Sequence, residues 1–345
     1  MVCSRRHPVA MSAESVEVPA VITLTSPRDV LDAIPHSLGF YPGNSLVISL
    51  LADTARGRRR QVLVIRLDLI DDSDDVEVVD WPSVHTAMAT SGATSAVIAV
   101  FATQGSQSKV QAQQQPLIER VKTVLADEDI DVMDALIVAD GCYVSLVCAD
   151  PSCCPPEGIS YDVVDPGAIG VELAVRGGSS PLLGRGDVAE QFALNTVAQA
   201  KIQALLDELA NGANLDAEQI LAWGSKPAPS TSQVAQSLMA FVDVGIRDAV
   251  IAGALCENAD NEERLRSFFS HLITVAPDGY RAAPATMAAI AWWVEGDGAR
   301  ANICLDLAFE DNAAYRLAEL FKQIMRAAVR PEQVRELLAE AMTRA

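Results

Sequence analysis

The chain has 345 residues, of which half are hydrophobic and 21% are charged, and its formal net charge is −20. This length is comfortable for two domains, and the acidic balance argues against nucleic-acid and anionic-membrane partners, which attract basic surfaces. The basic cluster RGRRR at 56–60 is predicted to be a solvated hairpin loop, with an anion or nucleic-acid contact as the alternative. The apolar composition predicts large cores and some surface buried against another subunit, so we expect a homo-oligomer.

The N-terminal residues 1–20 contain no continuous apolar segment, and we expect a disordered lead rather than a secretory signal. No stretch of about 18 uncharged apolar residues occurs later, so no transmembrane helix is expected. The chain has seven cysteines, which is an odd number. These features predict a cytoplasmic protein with free thiols rather than a disulfide framework.

The first elements after this lead are predicted to be a strand, a helix and a second strand. The alternating segment AVITLTS at 20–26 predicts the first strand. SPRD at 26–29 has the capping serine, the proline and the acidic residue typical of a helix start, and Pro35 is expected to end that helix early. Glycine and proline turns at 39–44 then lead into SLVISLL, a buried strand at 45–51.

Further strands alternate with helices up to about residue 150. The acidic run at 68–80 is predicted to be a solvated loop, with a calcium site as the alternative, although it lacks the spacing of an EF-hand loop. Asp140-Gly141 between two apolar segments predicts a hairpin. The other predicted elements are a strand QVLVIRLDLI paired with SLVISLL, a helix WPSVHTAMATSG ended by Gly92, a strand TSAVIAVFAT, and an amphipathic helix with Pro116 near its start. This pattern predicts an α/β domain with a mixed sheet.

The second half is predicted to be helical, because it is rich in alanine, poor in β-branched residues and punctuated by glycine and proline. Asp187 and Glu190 have the spacing of a capping pair for a helix through about Leu209. A bundle of helical hairpins is favoured over a degenerate tetratricopeptide repeat. The predicted domains are a disordered lead at 1–20, an α/β domain at 21–167, a linker at 168–186 and an all-α domain at 187–345.

Two motifs that often carry chemistry are incomplete in this chain. Ser45 follows Gly43, but a nucleophile elbow needs a glycine at position 47 and a helix after the serine, whereas Val47 and a strand follow. The glycine-rich segment GGSSPLLGRGD at 177–187 lacks the lysine of a phosphate-binding loop and is predicted to be part of a linker. No catalytic residue is predicted.

The thiols are the most distinctive chemical group. Cys142 and Cys148 are predicted to lie on one face of the final hairpin strand, because their separation is even. Cys153 and Cys154 follow in DPSCCPPEG. Structural thiols are the favoured interpretation, with redox use of Cys153 and Cys154 or a zinc site as the alternatives. Because adjacent cysteines rarely bind one ion together and no Cys-x2-Cys pair is present, we predict no metal and no cofactor.

Several segments together resemble a known family. They are IPHSLGFYPGNSLV at 34–47, CADPSCCPPEG at 148–158, Arg247-Asp248, and a segment at 286–320 that begins TMAAIAWWVEGDG. The family is the actinobacterial domain of unknown function forty-one ninety-two, and the resemblance runs from about Val21 to Val329. The resemblance implies that the two halves belong together in a cytosolic actinobacterial protein, and it carries over no catalytic residue.

The leading functional hypothesis is a non-enzymatic cytoplasmic protein, an α/β domain joined to a helical interaction domain, that self-associates. The alternative is an enzyme or small-ligand-binding protein with a pocket between the two domains. A thiol-based redox sensor is the third hypothesis, and whether the protein is an enzyme stays open. The candidate binding residues of the second hypothesis are Asp29, His36, Phe40 and Ser45.

Overall fold

The computed structural model describes residues 22, 24–55, 57–165, 167–177, 180–209, 215–226, 229–255, 259–331 and 333–336. The chain divides into two compact units, an α/β unit that ends at Arg185 and also includes Arg326–Ala328, and a helical unit that includes Gly186–Met325. The predicted disordered lead at 1–20 lies outside the described residues. Among the helices that are described, none is long and apolar enough to cross a membrane.

The α/β unit is built on a mixed sheet. Its strands are β1 (Ser45–Asp53), β2 (Arg59–Asp68), β3 (Ser95–Phe101), β4 (Asp131–Ala139), β5 (Cys142–Ser145) and β6 (Ile159–Ser160). They follow the order β2-β1-β3-β4-β5-β6. β3 and β4 pair in parallel, whereas the other neighbouring strands are antiparallel. A parallel pair needs a long crossover, and the helix between these two strands supplies it. The predicted α/β fold with a mixed sheet is confirmed.

In the described part of this unit, four α-helices accompany the sheet: α1 (Pro27–Leu38), α2 (Trp81–Ser91), α3 (Gln107–Asp127) and α4 (Gly167–Gly177). The acidic run contains a 3₁₀ helix, Ser73–Val78. The core joins β1 and β3 to the apolar faces of α2 and α3, with Leu46, Ile98 and Leu117 almost fully buried. Burying each such side chain is worth about 1.5–3 kcal/mol. This core holds the central strands in place and so positions the β4–β5 hairpin.

Several local predictions for this unit are confirmed. Ser26 and Asp29 form a capping box at the start of α1, and Gly39 ends the helix with a left-handed φ of 77°. Gly92 ends α2 in the same way. β1 pairs with β2 as predicted, although the predicted loop at 56–60 is shorter, because Arg59 and Arg60 lie in β2 and pair with Asp53 and Ala52. β4 and β5 form the hairpin predicted at Asp140-Gly141.

Three predictions for this unit are wrong. Residues 22 and 24–26, the described part of the predicted first strand, are not in a strand, because Thr25 and Ser26 bind the Asp29 carboxylate instead. The helix α1 continues through the buried Pro35 to Leu38. The proline removes one backbone N–H donor from the helix, but this loss does not end it. Pro116 lies in the interior of α3, which begins nine residues earlier at Gln107.

The helical unit confirms the predicted all-α second half. Its helices, after the short α5 (Arg185–Glu190), are α6 (Thr196–Glu208), α7 (Ala217–Gly224), α8 (Thr231–Ala240), α9 (Val244–Ala254), α10 (Ala259–Val275), α11 (Ala282–Glu295), α12 (Gly298–Asp311) and α13 (Arg316–Arg326). The long helix predicted from Asp187 to Leu209 is wrong, because Asn195 caps a separate helix there. Asp243 likewise caps α9, which is separate from α8.

The helix α4 occupies the first part of the segment predicted to be a linker, and it packs against α1. Leu182, farther along that segment, exchanges backbone hydrogen bonds with Gly39 and Tyr41. The segment is therefore tied to the α1–β1 corner of the α/β unit, which is formed by residues 39–44. The predicted domain boundaries stay a prediction.

Candidate functional site

Three cysteines meet in the loop between β5 and β6, residues 146–158, which we call the thiol loop. The Sγ atoms of Cys148, Cys153 and Cys154 all lie within 4.8 Å of one another. Backbone hydrogen bonds explain this convergence, because the carbonyl of Asp150 accepts the N–H groups of both Cys153 (3.1 Å) and Cys154 (2.7 Å). The loop therefore makes a helical turn that carries both sulfurs toward Cys148.

Hydrogen bonds and a close backbone approach hold the two ends of the thiol loop. At one end, Ser145 Oγ donates to Asp134 Oδ1 at 2.6 Å and accepts the N–H of Cys148 at 2.9 Å. At the other end, Gly158 adopts a left-handed φ of +83°, and a Cβ there would lie 3.1 Å from the carbonyl oxygen of Tyr143. The sheet edge thus fixes where the three thiols lie.

The three thiols shift one another's acidity. The backbone N–H of Asp150 lowers the pKa of Cys148, and hydrogen bonds from the thiols of Cys154 and Cys153 act in the same direction. The hydrogen bond to Cys148 raises the pKa of Cys154 to about 12. Cys148 is therefore the sulfur of this pair that ionises first, and a thiolate is the reactive and metal-binding form of cysteine.

The prediction that Cys142 and Cys148 share one face of a strand is wrong. β5 ends at Ser145, so Cys148 lies in the thiol loop and outside the strand. The Sγ of Cys142 instead accepts a hydrogen bond from Gln107 Nε2 at 2.8 Å. Cys304, in α12, is fully buried, and burial raises its pKa strongly.

A second polar group lies beside α1. The Arg28 guanidinium lies 3.7 Å from Asp32 Oδ2, 3.4 Å from Asp165 Oδ2, and over the ring of Tyr161. Asp32 and Tyr161 are almost fully buried. Within the part of the chain that the structure describes, Asp32 Oδ1 and the Tyr161 hydroxyl have no hydrogen-bond partner, although each is close enough to affect the other's pKa. Burial raises the pKa of both groups.

Tyr143 lies between this polar group and the thiol loop, because its backbone carbonyl is close to Gly158 and its ring packs against Tyr161. The centroid of this ring lies 6.0 Å from that of Tyr161, in an edge-to-face arrangement. Burial raises the pKa of Tyr143. Sequence reasoning missed Asp32 and Tyr161, which are far apart in the chain. The four-residue spacing of Arg28 and Asp32 on α1 was the one local signal for this group.

The structure gives two predicted site residues local hydrogen-bond partners. The Asp29 carboxylate accepts the N–H groups of Thr25 (2.7 Å) and Ser26 (3.1 Å) at the start of α1. The Ser45 side chain is fully buried, and its Oγ donates to the carbonyl of Gly43 at 2.9 Å. These bonds account for Asp29 as part of the N-terminal cap of α1, and for Ser45 as part of the turn that leads into β1.

The other two predicted binding residues lie at the end of α1. Phe40 is buried and forms an isolated parallel bridge with Leu182. His36 lies in the last turn of α1, where burial lowers its pKa. A ligand-binding role for Asp29, His36, Phe40 and Ser45 stays a prediction.

The helical unit contains a cleft of about 260 Å³ among α6, α8 and α10. Lys201 and His271 are its ionisable lining groups, and burial lowers the pKa of His271. Its other lining residues include Val197, Ile202 and Val234. This cleft brings together fewer reactive groups than the thiol loop, which is therefore the stronger candidate site.

Comparison with models of known protein families matches residues 27–332 to a family described as domain of unknown function (DUF4192). No curated protein and no solved structure matches the chain significantly. The names of relatives therefore indicate no specific function, and the actinobacterial origin stays a prediction. The match covers both the thiol loop and the α1–β1 corner, the two places where the most specific segments of the resemblance lie. The chain belongs to the DUF4192 family.

Proposed function

We propose that this protein is a thiol-based redox sensor in which Cys148, Cys153 and Cys154 form the oxidisable group. The observation that carries the proposal is that their three sulfurs lie within 4.8 Å of one another. Cys153 is exposed, and Cys148 and Cys154 are partly exposed, so a small oxidant can reach them. Exposed, closely spaced thiols are the group in which one cysteine can be oxidised and a neighbour can resolve it.

The chemistry requires a peroxide as the oxidant. One thiolate of the cluster attacks a peroxide oxygen, the O–O bond breaks, and the products are a sulfenic acid and water or an alcohol. A second thiol then attacks the sulfenic sulfur, forming a disulfide and releasing water. The two sulfurs lose two electrons in total, and the peroxide gains them. The third thiol remains free and can exchange with the disulfide.

This function is non-enzymatic, because the protein changes state once for each oxidant molecule and a separate reductant restores it. It also fits the cytoplasmic location that we propose, where the reducing environment keeps such thiols free until an oxidant arrives. Cys142, Cys148, Cys153, Cys154 and Cys304 are all free thiols in the structure.

The test is to treat the reduced full-length chain with one equivalent of hydrogen peroxide and map its disulfides by mass spectrometry. We expect one intramolecular disulfide that joins Cys148 to Cys153 or Cys154 and that a dithiol reductant reverses. Cys142→Ser is the matched control, because this neighbouring thiol lies outside the cluster, and it should oxidise like the wild type. Three unchanged thiols in the loop, or faster oxidation of Cys142 or Cys304, would overturn the proposal.

Self-association is a second proposal, supported by exposed apolar side chains on the α/β unit. Val171 and Val175 lie one turn apart on α4 and are 52% and 77% exposed. Exposed apolar groups that lie together are typical of interaction surfaces. Sedimentation velocity at micromolar concentration should show a dimer or larger species that Val175→Glu dissociates. Val244→Glu, at an exposed valine of the helical unit, is the control, and a monomeric wild type would contradict self-association.

A further inference from the structure

The thiol loop has the ligand spacing of a metal site. A tetrahedral zinc ion with Zn–S bonds of about 2.3 Å places its sulfur ligands about 3.8 Å apart. The Sγ atoms of Cys153 and Cys154 lie 3.9 Å apart, and all three sulfurs lie within 4.8 Å of one another. These separations are close to those that one tetrahedral zinc ion requires.

The backbone preorganises these three ligands. The turn that places Cys153 and Cys154 together is closed by two N–H bonds to the Asp150 carbonyl, and the Ser145 hydroxyl holds the N–H of Cys148. A site whose ligands are already gathered loses less conformational entropy when the ion binds. This turn also answers the sequence argument against metal, because adjacent cysteines diverge in a strand but converge here.

The donor set selects the class of metal. Three thiolates are soft ligands, which favour Zn²⁺, Cd²⁺ or Cu⁺ over Mg²⁺ or Ca²⁺. In the described part of the chain, no histidine or carboxylate oxygen belongs to the same 4.8 Å group. A fourth position therefore remains for water or an external ligand. The net charge of −20 also favours the approach of a cation.

We propose that Cys148, Cys153 and Cys154 bind one thiophilic cation of the Zn²⁺ class through three thiolates, and that the bound cation keeps the thiols reduced. Binding forms three metal–sulfur bonds and releases the remaining thiol protons to solvent, without any electron transfer. Oxidation by peroxide then removes two electrons from two sulfurs, forms their disulfide, and frees the cation with its charge unchanged. The second part of this inference rests on the proposed redox function.

The test of binding uses Co²⁺ as a spectroscopic probe with reduced, full-length protein under argon. We expect sulfur-to-cobalt charge-transfer absorption that saturates at one equivalent and that Zn²⁺ abolishes by displacement. Cys148→Ser, Cys153→Ser and Cys154→Ser should each weaken binding at least about tenfold, whereas Cys142→Ser should bind like the wild type. Circular dichroism checks that each variant is folded. Absence of the charge-transfer band in the wild type, or its loss in Cys142→Ser alone, overturns the site.

The test of protection compares peroxide oxidation of zinc-loaded and chelator-treated protein by counting free thiols over time. We expect zinc to slow thiol loss at least about fivefold, and equal rates would overturn the protective role. If cobalt fails to bind but the metal-free protein forms the loop disulfide, the metal inference is wrong and the sensor stands. If cobalt binds but no disulfide forms in the metal-free protein, the sensor is wrong and the metal site stands.

Discussion

The Sγ atoms of Cys153 and Cys154 lie 3.9 Å apart, although these residues are adjacent in the chain. Adjacent side chains in a strand point to opposite faces. Here a helical turn replaces the strand, because Asp150 accepts both backbone N–H groups through its carbonyl. The Asp150 carboxylate supports the same turn by accepting the N–H and hydroxyl of Ser152 at 2.9 and 2.7 Å.

Removing this support should loosen the thiol loop. We expect Asp150→Ala to slow disulfide formation by roughly tenfold, because small misplacements of reacting atoms cost large factors in rate. The measurement is the loss of free thiols after one equivalent of peroxide. Asp162→Ala is the control, because Asp162 makes a similar bond to the N–H of Val164 in the following loop. Equal rates for both variants and the wild type would show that the turn does not depend on Asp150.

Gly158→Ala tests how closely the end of the loop approaches β5. Gly158 and Gly279 have the same φ of +83°, but only at Gly158 would a Cβ meet neighbours, the nearest being the carbonyl oxygen of Tyr143 at 3.1 Å. Gly279→Ala therefore measures the backbone strain by itself. We expect Gly158→Ala to lower the free energy of unfolding by about 1–3 kcal/mol more than Gly279→Ala does. Urea unfolding measures both, and equal losses would refute the close approach.

Asp29 and Asp32 should affect the pH dependence of stability in opposite directions. Burial raises the pKa of Asp32 in the folded chain, so its contribution to stability falls as the pH rises above about 4, the unfolded value. Burial also acts to raise the pKa of Asp29, but hydrogen bonds from Thr25 and Ser26 outweigh it and lower that pKa. The stability from Asp29 is therefore present above about pH 4 and is lost as the pH falls below it.

The two asparagine variants separate these effects in urea unfolding between pH 3 and 7. Relative to the wild type, Asp32→Asn should gain stability as the pH rises, whereas Asp29→Asn should lose stability as the pH rises. The slope with pH is the informative quantity, since each substitution also has its own packing cost. Slopes of the same sign for both variants would contradict the described environment of Asp32.

In the helical unit, Asp311 caps a helix that is remote in sequence. Its carboxylate, at the end of α12, accepts the backbone N–H groups of Gly279 (2.7 Å), Arg281 (3.0 Å) and Ala282 (2.8 Å) at the start of α11. We expect Asp311→Ala to lower the melting temperature and to cost about 1–2 kcal/mol of stability. Glu310→Ala, at the adjacent exposed position, should cost far less, and equal effects would contradict the cap.

Local signals predicted the parts of the fold that depend on local chemistry. The capping box at Ser26 and Asp29, the left-handed ends at Gly39 and Gly92, and the hairpin at Asp140-Gly141 each need a few neighbouring residues to form. The mixed sheet could be predicted from the order of strands, helices and hairpins along the chain. The Asp311 cap could not be predicted in this way, because its partners lie about thirty residues away.

The helix boundaries that were wrong show where packing outweighs local preference. Pro35 is buried in α1 and Pro116 lies on α3, the central helix of the core. In both helices, burial of the apolar residues on either side of the proline outweighs the lost N–H bond. A pattern that treats each proline as a boundary cannot include that packing energy.

The candidate site was only partly accessible from the sequence. Cys153 and Cys154 were identified as redox candidates, but their approach to Cys148 depends on the turn at Asp150, which has no strong sequence signature. Asp32 and Tyr161 bring α1 close to the segment after β6, and no spacing rule connects the two residues.

The most direct measurement for the central claim is the reaction of the reduced protein with phenylarsine oxide, which condenses with two nearby thiols and releases one water. If Cys148, Cys153 and Cys154 form one cluster, intact mass and peptide mapping will show a single arsenical per chain, bound by two of these three sulfurs. Cys142→Ser will retain it. No adduct, or one that survives replacement of all three cysteines by serine, would contradict the cluster.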